Sequence, residues 1–220
     1  MAAPLKIELY TDVICPWCAI GSHRLDKVLA ERFEGLSVEI QHHPVLLMPD
    51  TPREGRDVAA YFTQRFGKFD AASFYERPEA EARRSGLGLD LARQPRIANT
   101  IAAHTLIRGA RPLGTEHRLA VALGLTHFVE IRDIADPEVL ADIGAAHGFD
   151  RAQALALVRS EAELAKTLAE AQAASARGIS GVPHFIFGGG IAIAGGQSED
   201  ALAEAITAAL AAQGVEERAG

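Results

Sequence analysis

Cysteine is nearly missing from this chain: 220 residues contain two, Cys15 and Cys18. That excludes a scaffold of structural disulfides. It also leaves a zinc site short of donors, because tetrahedral zinc wants two further ligands at close spacing; no metal is expected. Positive charge is scarce as well, with 22 Lys and Arg against 29 Asp and Glu and a formal net charge of −7. Such a surface is not built to neutralise phosphates, so no nucleic-acid partner is expected. No apolar run approaches the ~18 residues needed to cross a bilayer, and no basic stretch followed by an apolar one reads as a secretory signal. The expectation is therefore a cytoplasmic protein with no membrane partner. A hydrophobic content of 48% is enough for a real core.

What is present begins with alternation. Leu5, Ile7 and Leu9 interleave with Lys6, Glu8 and Tyr10, predicting a strand. A short loop, Thr11 to Ile14, leads into Cys15-Pro-Trp-Cys18, and from Pro16 the pattern turns helical. Cys18, Leu25, Val28 and Leu29 share one face of that helix, and Pro16 suits its first position, where no N–H is needed. Val38 to His43 alternates again until Pro44 and Pro49 stop the strand. The C-terminal end predicts a hairpin, Phe185–Phe187 and Ile191–Ala194 around Gly188 to Gly190. A last helix follows, capped by Ser198 and striped by Leu202, Ile206 and Leu210.

Between these ends strand signals are nearly absent. Helical patterning covers roughly residues 57–67, 73–85, 96–109, 115–130, 137–147 and 150–177, with breaks near Gly86, Gly109 to Gly114 and Gly148. Asp136 and Asp150 are plausible helix starts. No repeat or low-complexity linker appears, so one domain with an insertion fits better than two domains on a string.

The chemistry rests on the Cys-x-x-Cys. A thiol attacks as its thiolate, and Cys15 at the mouth of a helix faces unpaired N–H groups and the positive end of the dipole. Cys18 lies one turn further on the apolar face, shielded, within reach to close a disulfide ring. The predicted roles are attack by Cys15 and resolution by Cys18. Strand, motif and helix in that order give the dithiol its redox meaning. His42 and His43, adjacent on a strand, point to opposite faces and could not easily ligate one metal. His117, His127 and His147 show no ligand or triad spacing.

Four stretches carry a family likeness in order along nearly the whole chain. They are Asp12-Val-Ile-Cys-Pro-Trp-Cys-Ala-Ile-Gly21, Asn99-Thr-Ile-Ala-Ala-His104, Asp133-Ile-Ala-Asp-Pro-Glu-Val-Leu140, and Gly181-Val-Pro-His-Phe-Ile-Phe187 followed by Gly195-Gly-Gln197. The chain resembles the DsbA-like branch of the thioredoxin superfamily, and within it the FrnE-like proteins. The resemblance implies an α/β chain with a thioredoxin fold, βαβ at residues 1–48 and ββα at 179–220, interrupted by a large all-helical insertion at 49–178. It also implies a cis peptide at Val182–Pro183 facing the dithiol, with the Val182 backbone free to pair with a substrate segment near Cys15.

The resemblance further implies a thiol–disulfide oxidoreductase or isomerase acting through a mixed disulfide on a thiol- or disulfide-containing protein or small molecule. DsbA oxidases usually carry His where Trp17 stands, which predicts a less oxidising couple here. Similar glutathione-dependent isomerases of the 2-hydroxychromene-2-carboxylate type and kappa-class transferases typically carry Ser in place of Cys15. Keeping both cysteines counts against that chemistry but leaves glutathione open as a co-substrate; no other cofactor is expected. A redox-sensing binding protein is the non-enzymatic alternative.

Further candidates are Trp17 as an exposed apolar contact for substrate, His184 near the dithiol as a proton shuttle, and Asn99 and His104 lining a groove of the insertion or capping and packing its helix. Glu8 could accept a proton from Cys18, though a solvated strand position is the simpler reading. Tyr61, Phe62 and Phe66 are expected in the core. The Ala-rich last helix is compatible with a monomer or a homodimer.

Overall fold

A computed structural model describes residues 3–179 and 181–219 of the chain. The first strand, β1 (Leu5–Thr11), runs parallel to β2 (Val38–Pro44), and α1 (Pro16–Arg32) connects them. β5 (His184–Phe187) and β6 (Ile191–Ala194) form the C-terminal hairpin. β5 pairs antiparallel with β1, Leu9 opposite Phe185, giving the order β2-β1-β5-β6. The two ends of the sequence thus complete one sheet, as the α/β thioredoxin fold requires.

Alternation decides what covers each face. Leu5, Ile7, Leu9, Phe185 and Phe187 are buried against Leu25 and Val28 of α1 and against Leu202 and Ile206 of α9 (Glu199–Ala219). Burying such side chains contributes roughly 1.5–3 kcal/mol each. The opposite face presents Tyr10 and Ile186, which pack with Ala174 of α8 (Glu161–Ala176) and with Ile179. Ser198 accepts a hydrogen bond from the Ala201 N–H at 3.2 Å, starting α9 where its sequence suggests.

The insertion is helical: α2 (Val58–Phe66), α3 (Ala71–Arg84), α4 (Ile101–Gly109), α5 (Glu116–Phe128), α6 (Pro137–Ala146), α7 (Arg151–Arg159) and α8. Asp57, Asp70, Asp136, Asp150 and Ser160 each cap a helix by accepting a first-turn backbone N–H, supplying partners the helix itself lacks. The sequence predicts one helix over 150–177, but Ser160 ends α7 and starts α8. A two-residue strand pair, β3 (Arg56–Asp57) with β4 (Arg96–Ile97), is the one sheet-like feature described inside the insertion. Leu106, Ile107, Leu119, Leu123 and Leu140 form the insertion's own core. Val13 of the loop before the dithiol is part of it, so the insertion grips that loop directly.

Phe62 is buried, but Phe66 is 56% exposed, so the expected aromatic core cluster is only partly inside. No helix among the described residues is long and apolar enough to cross a membrane.

Candidate active site at the start of the first helix

Leu9 and Thr11 bury toward the helices, and the chain then turns so that the Cys15 N–H donates to the Asp12 carbonyl at 3.0 Å. Cys15 is the N-cap of α1, in extended geometry, with Pro16 at the first helical position. Its carbonyl accepts from the N–H groups of Cys18 and Ala19 at 3.0 and 3.2 Å. The two thiols therefore sit one turn apart at a helix mouth, both free and both buried. Burial, with the Cys15 thiol beside it, pushes the Cys18 thiol well above its usual range.

Val182–Pro183 is a cis peptide, and the Cys15 thiol lies 3.9 Å from the Val182 carbonyl oxygen as a weak donor. What lets this loop approach α1 is Gly21: a Cβ there would stand 3.0 Å from Pro183 Cγ and 3.1 Å from Phe185 Cζ. The Gly195 N–H donates to the Pro183 carbonyl at 2.7 Å and ties the loop to the far end of the hairpin. Cys15, Cys18, Val182 and Pro183 are thus brought together as the sequence predicts.

The other predicted residues fall differently. Trp17 is half-buried rather than exposed. It packs with Ile20, Leu89 and Phe128, has Arg77 5.3 Å from its ring, and lies so close to Gly196 that a Cβ there would meet it at 2.6 Å. His184 pairs across the sheet with Tyr10, and its ring meets the Tyr10 ring edge-on at 6.0 Å. Alternation puts it on the sheet face away from α1, with no described contact to either sulfur. Glu8 shares that face and accepts from the Tyr10 hydroxyl at 3.1 Å.

Asn99 shapes the start of α4, donating to the Thr51 carbonyl at 2.7 Å and accepting from the Ile101 N–H at 3.1 Å. It borders a groove of about 550 Å³ with Arg53, Pro137 and Arg159, apart from the dithiol. His104 is buried, and its Nε2 lies 3.3 Å from a carboxylate oxygen of Asp12. It supports the dithiol loop from beneath instead of lining an open groove.

Several residues at the site escape a sequence reading. Asp12 is fully buried and its second oxygen accepts from the Leu47 N–H at 2.8 Å. Arg24, buried on α1, donates to Ser85, Glu81 and the carbonyls of Gly196 and Gln197. It pins the dithiol helix to the insertion and to the hairpin's far end. His42 and His117 meet at 2.9 Å although 75 residues separate them. A polar residue at an apolar strand position, as His42 is, was the available signal; its partner was not readable.

A family model described as DSBA-like thioredoxin domain matches residues 6–207. A probable DsbA oxidoreductase from Streptomyces coelicolor superposes with TM-score 0.82 at 25% identity, over 94% of this chain and 90% of its own. A 2-hydroxychromene-2-carboxylate isomerase gives TM-score 0.68 at 15% identity, covering 96% and 98%. The cytosolic disulfide reductase DsbM from Pseudomonas aeruginosa, also solved with GSH, gives 0.64 at 18% identity, covering 98% and 100%. No curated protein matches the sequence.

Proposed function

Since this chain belongs to the DsbA-like thioredoxin family, we propose that it is a thiol–disulfide oxidoreductase working through Cys15 and Cys18 by way of a mixed disulfide. The observation that carries the reading is the placing of the Cys15 sulfur at a helix start, 3.9 Å from the Val182 carbonyl, with Cys18 buried one turn behind.

Cys15, as thiolate, attacks one sulfur of a substrate disulfide. That bond breaks, the departing sulfur leaves as a thiolate, and Cys15 becomes joined to the substrate. Cys18 then attacks Cys15 and closes the ring, and the substrate leaves with both electrons. Run backward, the same steps oxidise a dithiol. Before the sulfurs can meet a substrate, the Val182 carbonyl must give up its contact with Cys15. An extended segment of substrate pairing with the Val182 backbone would take that place. Glutathione, which a DsbM structure carries in a related fold, is the small thiol we assign as co-substrate, and the cytoplasm is the compartment we assign. The substrate is a thiol- or disulfide-bearing protein or small molecule.

Equilibration in a series of glutathione buffers tests this, read by alkylation of free thiols and by fluorescence of Trp17, the sole tryptophan. The expected result is a reversible two-electron transition, where ~30 mV in the midpoint corresponds to about 1.4 kcal/mol. A dithiol that stays reduced and fails to exchange refutes the reading. Turnover of a chromene-type substrate by Cys15→Ser would replace it with glutathione-dependent isomerisation.

A further inference from the structure

Resolution of the mixed disulfide requires Cys18, itself only 4% exposed, to lose a proton. A cavity of about 70 Å³ adjoins it, bordered by Cys18, Thr11, Asp12, Ser22 and His42. One water needs roughly 10–15 Å³ of such space and two to four polar partners; most of the lining is apolar, and Thr11, Asp12, Ser22 and His42 are the side chains that can hold water beside the sulfur.

From this cavity a line of hydrogen bonds leads out. The Thr11 hydroxyl lies 3.3 Å from His42 Nδ1, His42 Nε2 lies 2.9 Å from His117 Nδ1, and His117 Nε2 lies 2.7 Å from the Asp26 carboxylate. One placement of protons satisfies all three bonds with both rings neutral. Thr11 donates to His42, His42 donates from Nε2 to His117, and His117 donates from Nε2 to Asp26. The line therefore has a direction. It starts at the pocket beside Cys18 and ends at a carboxylate whose side chain is 46% exposed.

We propose that Thr11, His42, His117 and Asp26 are a proton relay serving Cys18, an inference that rests on the oxidoreductase reading above. When Cys18 attacks the Cys15–substrate disulfide, its proton passes through the cavity to His42 Nδ1. The Nε2 proton of His42 moves to His117, that of His117 moves to Asp26, and Asp26 releases it to water. The leaving thiolate takes its own proton from solvent. In the reverse reaction the protons run inward to the departing Cys18.

The surroundings suit a carrier rather than a store. His42 faces His117 and Glu116 from α5, His104 from α4, Arg111 from the turn after α4, and Asp12 across the cavity; His43 is its neighbour on β2. Burial first, then His117, His104, His43 and Arg111, hold its ring well below the ordinary imidazole range. Glu116, pushed up to about 7 by burial, accepts from the His42 backbone N–H and from Arg111 and does not contact the ring. Asp12 is the rival acceptor. Its two oxygens are taken by Leu47 N–H and His104, and no described chain of bonds leads from it to solvent.

Rapid mixing of reduced protein with oxidised glutathione separates the steps. A second-order phase forms the Cys15–glutathione disulfide, and a first-order phase closes the ring. In His117→Ala the ring-closing phase should slow about 100-fold near neutral pH, the lower end of what a positioned acid–base group supplies, and its pH profile should move upward. Added imidazole should restore it, because His117 borders an open groove of about 520 Å³ with Gln41, Arg111 and Gly114. His42→Gln should slow the same phase without rescue. The second-order phase, followed in a Cys18→Ser background, should not change in either variant. Ring closure within about twofold of the unaltered protein in both variants, or slowing that imidazole does not relieve in His117→Ala, overturns the relay. Absence of the second-order phase in the unaltered protein overturns the oxidoreductase reading, and the relay falls with it.

Discussion

Replacing Arg24 should loosen the dithiol helix from two of its supports at once. All five of its N–H donors are engaged: Nε with Ser85 Oγ at 2.7 Å, one terminal nitrogen with the carbonyls of Gly196 and Gln197 at 3.0 and 2.9 Å, the other with Glu81. In Arg24→Met the volume is nearly kept but every donor is lost. A buried acceptor left without its donor costs about 1–3 kcal/mol. With two part-buried carbonyls stranded, and Ser85 still donating to the Glu81 carbonyl, the expected loss is at the low end, about 2 kcal/mol. The Glu81 ion pair is left out of that figure because water screens its carboxylate. Arg24→Lys has three donors on one nitrogen and cannot reach all of these acceptors, so about half the loss should remain. Urea unfolding read by Trp17 emission and by far-ultraviolet circular dichroism measures both variants. Trp17 packs on Gly196, one of the tethered residues, so its emission should also shift before unfolding begins. A loss under about 1 kcal/mol in Arg24→Met, or a Lys variant equal to the unaltered protein, would refute the reasoning.

Two other perturbations have defined outcomes. Gly196→Ala puts a methyl 2.6 Å from Trp17 Cε3; overpacking of this kind costs about 1–3 kcal/mol, and the Trp17 emission maximum should move, whereas unchanged emission and stability would show the indole free to yield. Burial lowers the His127 pKa to about 4, so between pH ~6.5 and 4 the unfolded chain binds a proton that the folded one does not, and stability falls as pH drops. From pH 8 to 5 that amounts to about 2 kcal/mol, absent from His127→Gln in paired urea melts. His42 acts in the same direction, while Glu116, raised to about 7, gains its proton first in the folded state and opposes them. Equal pH dependence in protein and variant would remove His127 from the account.

Local patterns were readable where one physical cause dominates. Strand alternation, the proline after Cys15 and the Gly-rich hairpin turn each answer to backbone sterics or burial, and β1, α1, β5 and β6 form where those signals stand. The boundary at Ser160 was readable too, because Ser160 and Glu163 have capping-box spacing and the Glu163 N–H does bond the serine; helix-forming composition on both sides obscures it. The pair β3–β4 has two residues per strand, too few for any period. His184 was misread by nearness in sequence. It follows Pro183, but one residue along a strand turns a side chain to the other face. His42 and His43 divide as the alternation predicts, one toward α5 and the other stacked on Tyr10 at 4.5 Å. The line from His42 to Asp26 joins β2, α5 and α1, whose neighbourhood in space only the tertiary fold decides.

The pairing of Leu9 with Phe185 and the contact of Cys15 with Val182 also set the timetable of birth at the ribosome. Translation at about 5–20 residues per second puts roughly 10–30 s between the emergence of Cys18 and that of Val182. Throughout that interval the nascent chain has its dithiol but not the loop that covers it. The helices of the intervening segment, whose contacts are local and close quickly, can assemble meanwhile. For this protein, the arrival of the loop before β5 turns an open pair of thiols into a guarded one, and a nascent chain stalled before it would meet cellular disulfides uncovered.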